Sequence, residues 1–465
     1  MIIYVTNCWS GCLGVVVQHE REGVSLKQAF GYWLKLGFIS FGGPAGQISM
    51  MHQELVDKRR WISEQRFLHA LNYCMVLPGP EAQQLATYIG WLLHGVKGGI
   101  MAGALFVLPS LLLLMLLSWI YLAFGDLPLV AGILYGIKPA VTAIVLLAAW
   151  RIGSRALKHW YLWGIAGLSF LAMAVFQVPF PAILLGAALL GWMGMRWLPH
   201  IFQAAVAHGP RKSNGVVDAL IGDHSPVPEH ARFSRQRLVM TVLVGLGLWW
   251  LVMGLLWATV GPAHDLSLMG WFFTKAALLT FGGAYAVLPY VVQGGVEHYG
   301  WLSATQMMDG LALGETTPGP LIMVVAFVGF VGGWTKAVLG PDALVLGGAL
   351  AACVVTFFTF LPSFLFILLG GPLVEASRNQ LKLTAPLTGI TAAVVGVILN
   401  LALFFGEHVL FPDGWGNGAL YGLDVPSLGW GIVCVALLYS LQWSILRVIG
   451  LSAAAGFVYT FLWGL

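Results

Sequence analysis

Long runs of apolar residues are the feature that most limits how this chain can fold. Three of them cover residues 100–123, 238–260 and 344–369, and others follow one another with short loops between them. A helix needs about 20 apolar residues to cross the roughly 30 Å hydrocarbon layer of a bilayer. Only 9% of the residues are charged, whereas a soluble domain carries about 25%. The sequence therefore predicts an all-α polytopic membrane protein, with the lipid bilayer as its surroundings.

The chain also contains an internal repeat. At an offset of 240 residues, three separated blocks align in one ungapped register, and at an offset of 253 residues two Pro-Ser pairs align as well. Several matched blocks in order indicate duplication and fusion rather than the chance recurrence of Gly and Pro. The aligned blocks are 40–43 with 280–283, 61–63 with 301–303, 78–80 with 318–320, and 109–110 with 362–363.

The apolar segments divide the chain into five parts. They are an N-terminal extension (1–25), a first repeat of six segments (26–198), a linker (199–237), one connecting transmembrane helix (238–261) and a second repeat of six segments (262–465). A single extra crossing between two equal halves turns the second half upside down. The predicted fold is therefore two inverted six-segment repeats with interrupted or re-entrant helices, joined by one extra transmembrane helix. This arrangement is typical of secondary transporters.

Positive charge sets the expected orientation. The linker carries five Arg and Lys residues, so the positive-inside rule predicts that residues 199–237 are cytoplasmic. The basic loop at 58–66 is also cytoplasmic only if segment 67–93 enters and leaves the membrane by the same face. Whether segments 26–48 and 67–93 span or re-enter is left open. The basic residues form no single patch, so no nucleic-acid partner is expected.

Interrupted helices at corresponding positions of two halves are the best sequence indication of a transport site. Where a helix restarts at membrane depth, its first amides have no intrahelical partner and its positive dipole end favours anions. The alternative is that the Gly and Pro residues only permit kinks or close packing, but the symmetric set favours a site. The predicted anion-binding residues are Ser40, Gly42, Gly43, Pro78, Gly79, Pro80, Thr280, Gly282, Gly283, Thr316, Thr317, Pro318, Gly319 and Pro320.

Lysines inside apolar segments point to an anionic substrate. Lys35 and Lys275 occupy equivalent positions of the two copies, and Lys138 lies within a segment as well. A charged group inside the membrane costs about 2.5–3.5 kcal/mol on insertion scales and is a functional candidate for that reason. Lys35 and Lys275 are predicted to attract a dianion. The alternative is that their side chains extend to the membrane interface.

Three acids lie beside the Pro-Gly-Pro motifs and are candidates for carrying a coupling proton: Glu81, Asp309 and Glu315. A carboxyl group at such a place could instead cap a half-helix or pair with a lysine. No cofactor and no metal site are expected, because the five cysteines are scattered and no flavin, nicotinamide, haem or metal motif is present. A membrane-embedded enzyme such as a reductase therefore lacks support.

Taken together, these motifs resemble the chromate ion transporter family. The resemblance rests on Phe-Gly-Gly-Pro at 41–44, Arg-Trp-Ile-Ser at 60–63 and Leu-Pro-Gly-Pro-Glu-Ala at 77–82, and on the corresponding stretches at 281–289 and 315–320. It covers nearly the whole chain from about residue 26, and the combination is specific.

The resemblance implies secondary active export of chromate across the bacterial inner membrane, giving chromate resistance. It implies a driving force from the membrane potential or the proton gradient. Sulfate, an isosteric tetrahedral dianion, is expected to compete. The alternative is a transporter or channel of the same fold for sulfate or another oxyanion. A homodimer is left open.

Overall fold

The computed structural model describes residues 23–125, 127–197, 219–222, 225, 228–376, 384–412 and 422–463. The N-terminal extension and much of the linker lie outside these ranges. Within them the structure is built from α-helices, and seven helices are long and apolar enough to cross a membrane. The chain is an all-α polytopic membrane protein, as the composition predicts.

In the first half of the chain the structure describes seven α-helices. A π-helical turn, Gln53–Lys58, extends the second of them. The helices are α1 (Leu26–Ile39), α2 (Gly43–His52), α3 (Glu64–Val76), α4 (Glu81–Phe124), α5 (Pro128–Ala156), α6 (Trp160–Ala174) and α7 (Phe180–Trp197).

Nine helices follow the linker, and a π-helical turn, Gln293–His298, again extends the one after the Gly-Gly motif. They are α8 (Arg235–Thr259), α9 (Asp265–Leu279), α10 (Ala284–Val292), α11 (Ala304–Thr316), α12 (Val324–Thr335), α13 (Leu344–Ala376), α14 (Thr384–Leu410), α15 (Val425–Tyr439) and α16 (Ile445–Trp463). The π-helical turns, and likewise α3 and α11, begin and end 240 residues apart. The predicted connecting helix is α8. It lies at the periphery, since only 11% of its most apolar 18-residue stretch is buried.

Helix α4 is two antiparallel arms rather than one rod. Its backbone leaves the helical region at His94 (φ −138°, ψ 23°) and Gly95 (φ 63°, ψ −155°). The arms 81–93 and 96–124 pack so closely that a Cβ on Gly90 would come within 2.6 Å of the Cβ of Ala102. The shorter arm, with about 1.5 Å rise per residue, is too short to cross a bilayer.

Segment 67–93 folds as a re-entrant hairpin with its tip at Pro-Gly-Pro. The rings of Tyr73 in α3 and Tyr88 in the short arm of α4 lie 6.0 Å apart between centroids. In one continuous helix, residues 15 positions apart would be about 22 Å apart. The chain must therefore reverse direction at 78–80, and α3 and the short arm of α4 leave by the end at which they enter.

The second half contains a matching hairpin, formed by α11 and α12 with its tip at 318–320. A Cβ on Gly310 would meet the ring of Phe327 at 2.2 Å, so the two helices lie side by side. Helix α12 then packs antiparallel to α13, since Gly333 lies against Gly347. We call these two elements the first hairpin (64–93) and the second hairpin (304–335).

The two hairpins reach the centre of the molecule from opposite ends. The tip of the first lies against Ser363 in the middle of α13, and its base lies beside Glu375 at the end of α13. The tip of the second lies against Ser110 in the middle of α4, and Asp309, nearer its base, is hydrogen-bonded to Tyr121 toward the end of α4. Because the long arm of α4 starts beside the first hairpin, Tyr121 lies at the other end. The inverted orientation of the halves in a bilayer stays a prediction.

The remaining helices also pack across the two halves. Helix α5 packs on α15 and α16, and α14 packs on α6 and α7. Glycines make these contacts possible: a Cβ on Gly136 would lie 2.2 Å from the carbonyl oxygen of Ser452, and one on Gly389 would lie 2.3 Å from that of Ala187. Small residues let membrane helices approach closely, where dispersion forces hold them together.

We predict that Gly136→Val prevents correct assembly, because the added side chain overpacks a contact between the halves. The matched control is Gly164→Val, which places the same side chain on a helix where no atom lies within 4 Å. Size-exclusion chromatography of detergent-solubilised fluorescent fusions should show a monodisperse peak for the control and loss of that peak for Gly136→Val. Equal profiles for the two variants would contradict the packing described here.

Candidate functional site

The tips of the two hairpins are joined to the glycine motifs of the opposite halves. The amide of Gly79 donates to the carbonyl oxygen of Thr280 at 2.7 Å, and the amide of Gly319 donates to the carbonyl oxygen of Ser40 at 2.9 Å. Each half thus provides a hydrogen-bond acceptor for the non-helical backbone of the other. Non-helical backbone at membrane depth needs such partners. Such reciprocal contacts are what a local twofold relation produces.

Both tips require glycine at their central position. Gly79 has φ +127° and Gly319 has φ +107°, a region that L side chains rarely adopt. A Cβ on Gly79 would lie 2.4 Å from Oγ of Ser363, and a Cβ on Gly319 would lie 2.7 Å from the Cβ of Ser110. The two serines belong to the aligned Pro-Ser pairs, so the sequence repeat is matched by repeated contacts.

Glutamine side chains brace the tips. Nε2 of Gln47 donates to the carbonyl oxygens of Ser40 (3.1 Å) and Gly319 (2.5 Å), and Nε2 of Gln84 donates to that of Pro78 (2.8 Å). The hydroxyls of Ser40 and Ser110 are buried and have no hydrogen-bond partner within the part of the protein that the structure describes. Since an unpaired buried hydroxyl is costly, these two groups are available donors for a polar ligand.

Two helices begin at the glycine motifs without a side-chain cap. Gly42 precedes α2 with φ +91°, and Gly283 precedes α10 with φ +98°. No atom lies within 4 Å of a Cβ placed on Gly43 or on Gly282, so open space adjoins both helix starts. Uncapped amides and the positive end of the helix dipole make such a start suited to an anion.

The acids distinguish the two helix starts. Both carboxylate oxygens of Glu81 lie 3.8 Å from the Cβ position of Gly283, so Glu81 faces the start of α10 from the other half. Glu315 accepts a hydrogen bond from the hydroxyl of Tyr285 in the first turn of α10. In the repeat alignment, Glu81, Glu315 and Tyr285 correspond to Leu321, Met75 and Ala45. The set of residues that corresponds to the start of α2 therefore contains no acid. Carboxylates therefore gather at one of the two helix starts.

Asp309 lies apart from these two acids, on the side of α11 that faces α4. Its Oδ2 accepts a hydrogen bond of 3.0 Å from Tyr121, and the charge of Lys138 in α5 acts on it. The carboxylate is buried, with 3% of Asp309 exposed. Asp309 thus belongs to the contact between the second hairpin and the end of α4.

The two repeat-equivalent lysines lie on α1 and α9, the helices that lead into the glycine motifs. Lys35 is exposed on α1. Nζ of Lys275 lies 5.9 Å from the ring centroid of Trp271, a residue that is 47% exposed on the outside of α9. A cation over an aromatic ring near the surface is the arrangement expected of a side chain that extends to the membrane interface.

The threonine hydroxyls are engaged within their own helices. Thr280, Thr316 and Thr317 each donate to a backbone carbonyl three or four residues earlier. Pro78, Pro80, Pro318 and Pro320 shape the two tips. The structure therefore brings together the glycines, the prolines, Ser40 and Glu81, and the glutamines are the site residues that sequence reasoning missed.

The tips and the helix starts lead to a stability prediction. Gly79→Ala should destabilise the protein by about 2–5 kcal/mol, because left-handed backbone costs about 1–2 kcal/mol and overpacking about 1–3 kcal/mol. Gly43→Ala carries the backbone cost alone, since open space surrounds its Cβ. Thermal unfolding of the purified proteins in detergent should give a clearly lower Tm for Gly79→Ala than for Gly43→Ala. The reverse order would show that the tip is not tightly packed.

Comparison of the sequence with known proteins identifies its family. The family model described as "Chromate transporter" matches residues 27–192 and residues 267–457. The chromate transport protein of Pseudomonas aeruginosa is 33% identical, over 83% of this chain and 83% of its own length. The chromate transport protein of Cupriavidus metallidurans is 27% identical, over 90% of this chain and 89% of its own length.

A shorter relative covers about a third of the chain. YwrA of Bacillus subtilis, an uncharacterized transporter, is 33% identical over 33% of this chain and 86% of its own length. No solved structure matches the chain. The family match covers most of the chain, and its named members are transport proteins rather than enzymes. The chain belongs to the chromate transporter family.

Proposed function

We propose that this protein exports chromate across the bacterial inner membrane by secondary active transport and so confers chromate resistance. Relatives named chromate transport proteins support the substrate. The observation that carries the site is that two uncapped helix starts, at Gly42-Gly43 and Gly282-Gly283, adjoin open space where the crossed hairpins meet. Backbone amides and serine hydroxyls at that point can hydrogen-bond several oxygens of one tetrahedral dianion.

The membrane potential is the driving force we favour. With the cytoplasm negative, the potential supplies about 2.3 kcal/mol per elementary charge per 100 mV, so about 4.6 kcal/mol for an exported dianion. That is enough for an outward gradient of more than a thousandfold, at 1.4 kcal/mol per factor of ten. A proton gradient is therefore not required to provide the energy.

Alternating access follows from the opposed hairpins. Each hairpin separates the central site from one end of the molecule. If the base of one hairpin moves outward while the other stays in place, the site opens to one side. We place the linker 199–237 on the cytoplasmic side, in line with its basic residues. The two inverted repeats, 26–198 and 262–465, would then exchange conformations during transport.

Glu81 is the residue we assign to the pH dependence of substrate binding. Its carboxylate and a bound dianion face the same positive helix end, so a negative Glu81 repels the substrate and a protonated Glu81 does not. Proton binding and oxyanion binding therefore favour each other, and the effect is reciprocal. Glu315, held by Tyr285 in the same region, is the second candidate.

The primary test is uptake of radioactive chromate into everted membrane vesicles, where energisation makes the interior positive. We expect saturable accumulation that collapses when valinomycin and potassium abolish the potential, and inhibition by excess sulfate. Accumulation of sulfate with no uptake of chromate would keep the fold and site but overturn the substrate. Flux that follows the potential but does not saturate with chromate concentration would favour a channel.

A second test concerns Glu81. Chromate uptake by the native protein should fall as the pH rises, because a larger fraction of Glu81 becomes negative and repels the dianion. Glu81→Gln should keep its uptake at high pH and show a lower KM, whereas the exposed acid variant Glu64→Gln should behave as the native protein does. Loss of transport by Glu81→Gln at every pH would mean that the carboxylate carries a proton that the cycle needs.

A further inference from the structure

A buried arginine lies at the base of the first hairpin, well away from the glycine site. Arg66 is 8% exposed, and its Nη2 donates to the carbonyl oxygen of Ser225 in the linker at 2.7 Å. Its Nη1 is buried, donates no hydrogen bond, and lies 3.7 Å from Oε2 of Glu375 in α13. The other oxygen of Glu375 accepts a hydrogen bond of 2.6 Å from the hydroxyl of Tyr88.

The distance of 3.7 Å between Arg66 and Glu375 is long for a buried ion pair. A guanidinium has five N–H donors, and a buried arginine usually binds a carboxylate through two short parallel hydrogen bonds. A buried pair of poor geometry does not recover the cost of taking both charges out of water. Arg66 therefore keeps donors that a planar or tetrahedral oxyanion could use, while Tyr88 holds Glu375 in a separate place.

The location of Arg66 is on the route from the linker end to the central site. It lies 13 residues before Gly79 on α3, so about 20 Å from the tip at the rise of a helix. At that base α3 faces the end of α13, and the linker strand is attached there through hydrogen bonds between Ile221 and residues 61 and 63. Any opening of the first hairpin away from α13 has to separate Arg66 from Glu375.

In the second hairpin, the position equivalent to Arg66 carries an uncharged residue. The residue 240 positions after Arg66 is Gln306, whose side chain is occupied in the capping box of α11 with Ser303. The contact of the second hairpin with α4 is made by an acid, Asp309, and a tyrosine hydroxyl. Among the described hairpin residues, the buried guanidinium thus marks the linker end.

We propose that Arg66 is an oxyanion-binding residue at the linker end, where a tetrahedral dianion takes the place of the Glu375 carboxylate beside the guanidinium. The proposal rests on the proposed oxyanion transport and adds its first binding step. A dianion offers the guanidinium two negative charges and several acceptor oxygens, against one distant carboxylate oxygen. Tyr88 belongs to the same hairpin and still holds Glu375 when the dianion binds, so the contact between Arg66 and Glu375 is the one that the substrate replaces.

The test compares the KM for chromate uptake into everted vesicles, whose outer face is the former cytoplasmic face. Arg66→Gln should raise KM about tenfold, the size expected for losing one charge-assisted contact. Glu375→Gln should lower KM, because the competing charge is removed while Tyr88 can still donate to the amide oxygen. A merely structural ion pair predicts instead that both variants impair transport in the same direction.

The exposed pair Arg59–Glu54 serves as the matched control, since its side chains are 2.9 Å apart and lie in the same basic loop. Arg59→Gln should leave KM unchanged. If Arg66→Gln has the native KM, or if Glu375→Gln raises KM, the proposal is wrong although transport itself stands. If the native protein moves no oxyanion, both the proposal and the proposed function fail.

A second measurement covers variants that fold poorly. In purified protein, sulfate and chromate should raise the Tm of Glu375→Gln more than that of the native protein, because the anion fills the place beside Arg66. They should raise the Tm of Arg66→Gln less. Equal shifts in the native protein and both variants would overturn the role of Arg66, even where the vesicle assay gives no rate.

Discussion

The structure depends on a requirement of backbone groups in a membrane, where an amide without a partner costs several kcal/mol. Two non-helical tips lie in the interior of this protein, and each obtains its key hydrogen bond from the opposite half: Gly79 from Thr280, and Gly319 from Ser40. The glutamine braces, the positive φ angles and the close serines all serve to hold these bonds. The same requirement leaves two helix starts uncapped at the point where the halves meet, which is why a structural necessity can become an anion site.

The two halves are alike in backbone and different in charge. Both hairpins, both π-helical turns and both glycine motifs recur, yet the acids lie at the start of α10 and the buried guanidinium lies at the base of the first hairpin alone. Symmetric backbone permits two conformations of similar energy, which alternating access needs. Asymmetric charge makes the two ends chemically distinct, so that loading and release need not be the same step.

Much of this could be predicted from the sequence, because it depends on local signals. Pro-Gly-Pro breaks a helix wherever it occurs, and the repeat alignment indicated which motifs would correspond. The predicted end of a segment at residue 93 coincides with the reversal of the chain at His94-Gly95. The role of Lys275 at the site stays a prediction. Its contact with Trp271, four residues earlier on the same helix face, could have been predicted from helical spacing. The pairing of Arg66 with Glu375 joins residues 309 positions apart, and no local pattern reports such a contact.

The crossed tips have a consequence for biogenesis. When a ribosome has released Gly79 into the membrane, the carbonyl group of Thr280 lies 201 residues further along the chain. At about 5–20 residues per second, translation takes roughly 10–40 s to supply it. During that interval the first hairpin carries an unsatisfied tip, so it must wait in a wetter or shallower position, or be shielded by insertion machinery. A chain of half this length with the same hairpin could complete its tip only by borrowing a glycine motif from another chain.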